Sequence, residues 1–199
     1  MPNPKIGLTS FIDYFVAQSP TKVSKVRAAR RMMAGEGFDH WLMFRRAAVE
    51  SLVAGGDKAV IRACIDAAGG TRAAQTYSEC GDSFIRWIGR KSITATALPT
   101  GRIWSGPGLD VSVNPELRLS IERRPEVHLK LYFKAEPLSK RAADPMLRLI
   151  EQKYGRRTPA AILDVRRRRL HAGPVASPAD LDLLLQAEAT SFATIWAGL

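Results

Sequence analysis

Two neighbouring stretches hold most of the side chains that could do chemistry. In EVHLKLYFK, residues 126–134, polar and apolar residues alternate. Successive side chains of a strand point to opposite faces, so Glu126, His128, Lys130, Tyr132 and Lys134 share one face, and Val127, Leu129, Leu131 and Phe133 the other. Residues 109–122 repeat the pattern, with Val111 and Val113 opposing Asp110 and Ser112, and Leu117, Leu119 and Ile121 opposing Arg118, Ser120 and Glu122. Three such strands make a meander whose polar face carries Asp110, Glu122, Glu126, His128 and Lys130. Glu116 stands beside Pro115 at a corner. Grouped carboxylates offer the oxygen ligands that a hard cation such as Mg²⁺ or Mn²⁺ takes, and the water on such a cation becomes a usable nucleophile. The candidates for metal are Asp110, Glu116 and Glu126, with Lys130 orienting the water or stabilising charge.

A helix, a three-stranded meander, a second helix and a further strand follow one another over about residues 82–170. That order resembles the core of the PD-(D/E)xK nuclease superfamily. The resemblance implies Mg²⁺ held by acids on the second and third strands, with a lysine two residues after the last acid. Asp110 takes the place of the first acid and Lys130 that of the lysine. The sequence departs from the pattern at position 128, where His128 stands for the acid, and Glu126, one pleat earlier on the same face, is the substitute. The alternative is a basic, polar sheet face without catalysis.

Charge points to a polyanion. Thirty Lys and Arg oppose nineteen Asp and Glu, for a net charge of +11. Such a balance is a footprint of nucleic-acid binding, DNA or RNA. Residues 92–176 hold most of the excess, in runs at turns and strand ends. The binding candidates are Arg123, Arg124, Lys130, Lys134, Lys140, Arg141, Arg166, Arg167 and Arg168, joined by Arg156-Arg157 as a further pair. A cradle forms if the 123–124 hairpin and the 166–169 run lie on one side of the sheet. Helices over 57–91, the last carrying Arg86, Arg90 and Lys91, also allow a helix-turn-helix. The competing class is a non-catalytic interaction module, even a homodimer, built on the last helix through Leu181, Leu184, Leu185, Phe192 and Trp196.

The elements that must position these groups divide near residue 91. Before it, apolar residues recur at helical spacing, as in Phe11, Ile12, Phe15 and Val16. Ser19-Pro20, Asp39, Asp57, Thr71 and Asp82 mark helix starts, and Gly35, Gly55-Gly56 and Gly69-Gly70 mark stops. After it, strands are expected near 101–105, 109–113, 117–122 and 126–134, with turns at Asn114-Pro115 and Arg123-Arg124-Pro125. A helix from Ser139 or Asp144-Pro145 to Tyr154, a strand over 160–167 with a partner near 169–173, and an amphipathic helix from Ser177 complete the chain. The fold class is α+β: a helical region, 1–91, packed with a sheet-bearing region, 92–199, whose sheet is mainly antiparallel with four to six strands flanked by helices. Cys64 and Cys80 stand alone, without zinc-ligand or disulfide spacing. No apolar run reaches membrane-spanning length and the first residues lack a signal peptide's apolar segment, so the expected place is the cytoplasm.

Overall fold

The computed structural model describes residues 2–199. The chain runs β1 (Lys5–Gly7), α1 (Leu8–Val16), α2 (Ser19–Met33), α3 (Leu42–Val53), α4 (Lys58–Ala67), α5 (Ala74–Ile88), β2 (Ile93–Ala97), β3 (Ile103–Gly106), β4 (Leu109–Ser112), β5 (Leu117–Ile121), β6 (Val127–Tyr132), α6 (Lys140–Tyr154), β7 (Ala160–Asp164), β8 (Arg169–Ala172) and α7 (Pro178–Ala197). It is an α+β protein in which helices flank two mixed sheets.

The helix boundaries follow the expected punctuation. Asp57 caps α4 by accepting the Ala59 N–H at 2.8 Å, and Ser139 caps α6 by accepting that of Ala142 at 3.3 Å. Gly35 ends α2 at φ +80°, with its own N–H donating to Met32 O and that of Glu36 to Arg31 O, the paired reverse bonds of a glycine stop. Helix α6 starts at Ser139 and runs through Pro145. The carbonyl that this proline leaves unpaired belongs to Arg141, which is exposed to water. The two short helices expected over 72–91 are one. Gly81 sits mid-helix in α5 because Ile65 of α4 presses on it: a Cβ there would come within 2.3 Å of Ile65 Cδ1.

Two strands lay outside the expected set. β1 and β2 are short, and each is defined by a partner distant in sequence. β1 pairs parallel with β4, which pairs antiparallel with β3. The second sheet has the order β2-β5-β6-β7-β8, antiparallel except for β6 beside β7. The expected meander is therefore corrected. Residues 109–112 belong to the three-stranded sheet, and the strand flanking β5 on its outer side is β2. β7 also stops at Asp164, because Val165 to Arg168 form the turn into β8, with Arg168 at φ +56°.

Both faces of the five-stranded sheet are covered. Leu117, Leu119, Leu129, Leu131, Ala161 and Leu163 pack with Phe44, Leu52, Ile61, Phe84 and Trp87 of α3 to α5. Ala160, Ile162 and Tyr132 pack with α1 and α6 in the other cluster, which also takes in Trp104 and Phe192. Each cluster draws residues from both sides of position 91. Burying a leucine such as Leu129 contributes about 2 kcal/mol. The face that carries His128 and Lys130 is thus roofed rather than open to solvent: His128 is buried, and its ring lies 5.0 Å from that of Tyr154. Among the described residues, no helix is long and apolar enough to cross a membrane.

Candidate nucleic-acid interface

The β5–β6 register opposes Leu117 to Leu129, which sets Glu116 against Lys130 one step further out. Lys130 Nζ donates to Glu116 Oε1 and, at 3.1 Å, to Asn114 O. The other carboxylate oxygen of Glu116 accepts the Leu131 N–H at 2.8 Å. Arg45 Nε lies 3.8 Å from Glu116, and the Arg45 guanidinium donates to both oxygens of Asp39 at 3.0–3.1 Å. The result is an alternating chain, Asp39–Arg45–Glu116–Lys130, in the wall of a cleft of about 970 Å³ between α2, α3 and the strand ends. Burial strengthens such pairs and removes their freedom to meet a ligand.

The other proposed metal ligands are elsewhere. Asp110 lies on β4 in the other sheet, where its backbone N–H donates to Pro4 O. Glu126 is exposed at the far end of the hairpin, 3.8 Å from Arg118. It is four positions from Lys130, about 13 Å along a strand. Among the described residues, no three His, Cys, Asp or Glu side chains gather in metal-binding geometry. The donors around Glu116 are themselves an ammonium, a guanidinium and an amide. A divalent cation there would face positive groups and a single committed carboxylate, so these residues do not fit Mg²⁺ or Mn²⁺, and no hydrolytic step is derived through one. His128 does not replace the missing acid. Burial is the main cause that lowers its pKa, with Arg118 and Arg102 adding repulsion, and its Nδ1 has no hydrogen-bond partner.

The cations sort by sheet end. Strands β6 and β7 are parallel, so both begin at one end; β2 begins and β5 ends there too. Arg90-Lys91 leads into β2, Arg123-Arg124 turns from β5 to β6, and Arg156-Arg157 leads into β7. None of these six has a carboxylate within 4 Å among the described residues. Lys91 rests over the Trp87 ring and donates to Trp87 O; the five arginines are exposed. The nearby acids are Glu122, Glu126 and Asp182, the last already held by Arg148. Glu122 and Arg123 both adopt positive φ, 51° and 60°, which tightens the hairpin and turns the arginines outward.

At the opposite end four of the expected binding cations are paired. Lys134 pairs with Asp13, Arg166 with Glu79 at 2.9 Å, and Arg167 with the buried Asp164 at 3.5 Å, while also donating to Ala135 O. Arg168 is exposed. Lys140 pairs with Asp144 at 2.6 Å on the first turn of α6, beside exposed Arg141. The expected cradle of 123–124 with 166–169 does not form, because β6 separates those turns by its full length. In its place the structure joins Arg123-Arg124 to Arg156-Arg157 and Arg90-Lys91. Arg156-Arg157 was visible in sequence as a separate pair. A helix-turn-helix would carry Arg90-Lys91 on its last helix, but α5 ends at Ile88, is buried along Tyr77, Phe84, Trp87 and Ile88, and Arg90-Lys91 leads into β2, the alternating ITATA segment.

No protein-family model matches the chain, and no curated protein is significantly similar to it.

Proposed function

We propose that the protein binds nucleic acid through the phosphate backbone, using the sheet end formed by Arg90, Lys91, Arg123, Arg124, Arg156 and Arg157. One observation carries this reading: three loops distant in sequence bring six cations to one end, and no carboxylate pairs with any of them. The loops serve four adjacent strands, a width of about 14 Å. That matches the axial rise of about four phosphates on one strand. Arginine suits the task because its planar fork meets phosphate oxygens bidentately. Contacts to phosphate carry no base information, so the expected binding is sequence-tolerant and salt-sensitive.

The PD-(D/E)xK likeness takes Asp110 as the first acid, but Asp110 lies on β4 in the other sheet, away from Lys130 and its partner Glu116. The lone, engaged carboxylate opposes cleavage, so the reading is binding without a hydrolytic step. Anisotropy of a labelled 20-base-pair duplex tests it. Arg123→Glu with Arg124→Glu should weaken binding at least about tenfold, since each phosphate contact contributes to the ionic part of the affinity. Unchanged affinity would remove the proposal.

A further inference from the structure

The cleft at the other end of the sheet has a character that phosphate binding does not use. Among the described residues, six of the eleven exposed large apolar side chains lie between residues 32 and 53: Met32, Met33, Phe38, Leu42, Met43 and Val53. Phe38 is 85% exposed. Met32, Met33, Phe38 and Val53 line the cleft, and buried Leu131 and Phe133 form part of its floor. A concentration of this kind marks an interaction surface rather than ordinary scatter. The Met32 thioether lies against Gly37, beside Phe38: a Cβ on Gly37 would fall 1.7 Å from Met32 Sδ.

Charge surrounds this apolar strip on one side. Lys5 and Arg46 line the cleft, and neither has a carboxylate within 4 Å among the described residues. Helix α2, whose Ala29, Met32 and Met33 line the cleft, contains no acid. Glu36 and Glu50 are the opposing exposed carboxylates nearby.

From these features we infer that the cleft receives an acidic, amphipathic helical segment of a partner protein, its apolar face on the Met32, Met33 and Phe38 strip and its carboxylates toward Lys5 and Arg46. Methionine thioethers are polarizable and adapt to varied side chains, which suits a helix-binding groove. A volume of about 970 Å³ also accepts the several anchors that such a helix presents at i, i+3, i+4 and i+7. Nucleotide bases fit less well. They stack on aromatic planes, and the Trp41 ring is already stacked against Phe133 at 5.1 Å and Tyr77 at 6.0 Å. Only Phe38 offers an open ring, among aliphatic and thioether neighbours.

The test uses the full chain and a fluorescein-labelled designed helix with Leu at i, i+3, i+4 and i+7 and Glu at the flanking positions. Two controls replace every Glu with Lys or scramble the leucines. The acidic helix should bind saturably and the controls should not. Phe38→Ser with Met33→Ser should weaken it about tenfold, as loss of central apolar anchors does, and Arg46→Glu should weaken it about threefold by like-charge repulsion. These side chains are exposed, and unchanged thermal unfolding verifies that the variants fold. Failure of the acidic helix to bind, equal binding of the Lys helix, or indifference to Phe38→Ser with Met33→Ser overturns the inference. So does a labelled single-stranded oligonucleotide that loses affinity on those substitutions, which would assign the cleft to nucleic acid.

Discussion

The two ends of the five-stranded sheet hold most of their cations differently. Where β6 begins, Arg90, Lys91, Arg123, Arg124, Arg156 and Arg157 face few acids and pair with none. Where β6 finishes, Lys130, Lys134, Arg166 and Arg167 are each matched to a carboxylate, Glu116, Asp13, Glu79 and Asp164, while Arg168 in the turn beyond and Arg169 at the start of β8 are exposed and unpaired among the described residues. A cation held by its own carboxylate has already exchanged water for a fixed partner, and a phosphate must displace that partner to bind. A cation left in water releases only counterions. The same residue type therefore stabilises the fold at one end and remains available to a ligand at the other.

That contrast can be broken first at Glu116. Its side chain is 7% exposed and that of Lys130 12%, so Glu116→Ala strands an ammonium, and the Arg45 guanidinium loses one of its two carboxylates. A loss of about 3 kcal/mol is expected in denaturant unfolding. Replacing both Glu116 and Lys130 with leucine should restore much of it, while duplex affinity stays unchanged in either case. If Glu116→Ala left stability intact, the paired end would not be structural. A smaller effect is expected from Lys134→Ala with Arg167→Ala. Lys134 and Asp13 are partly exposed, and the buried Asp164 keeps the Leu138 and Arg167 N–H groups as donors, so the loss is about 2 kcal/mol together, read as a lowered unfolding midpoint with duplex affinity held within twofold.

The smallest effect is a dependence on pH. Burial lowers the pKa of His128 and His171 below 6.5 in the folded chain. As pH falls below about 6.5, the unfolded chain takes up protons that the folded chain resists, so stability declines from there toward the folded pKa values. Above that range the two states bind protons alike and the curve is flat. Unfolding midpoints between pH 5 and 8 should show this slope, and His128→Gln should reduce it. Nucleic-acid affinity above pH 7 should not change with that substitution, which separates the buried face of β6 from the exposed turns.

The sequence was a good guide wherever local chemistry decides the structure. Caps at Asp57 and Ser139, glycine stops and the alternation of β5 and β6 placed most elements within a few residues. It was a poor guide wherever pairing at a distance decides. β1 is three residues long and exists because β4 lies beside it. β4 looks like its neighbours β5 and β6, and nothing local says that it joins another sheet. The polar alternation of β6 suggested an open face, yet α6 covers it, because alternation cannot distinguish water from a helix bearing Tyr154. For the candidate site, Arg123 and Arg124 were legible from the turn that holds them. The run at 166–169 was the most conspicuous basic stretch, and its first two arginines proved to be internal partners of Glu79 and Asp164. Arg90 and Lys91 became part of the interface only once β2 was placed beside β5.

The salt dependence of duplex binding tests the contrast between the two ends most directly. The logarithm of affinity should fall linearly with the logarithm of salt concentration, by a slope of about 0.9 for each phosphate neutralised. Arg123→Ala with Arg124→Ala should reduce that slope by about 2. Lys134→Ala with Arg167→Ala should leave it unchanged. Equal reductions from the two pairs, or a slope that neither pair alters, would contradict the assignment of phosphate binding to the end where β6 begins.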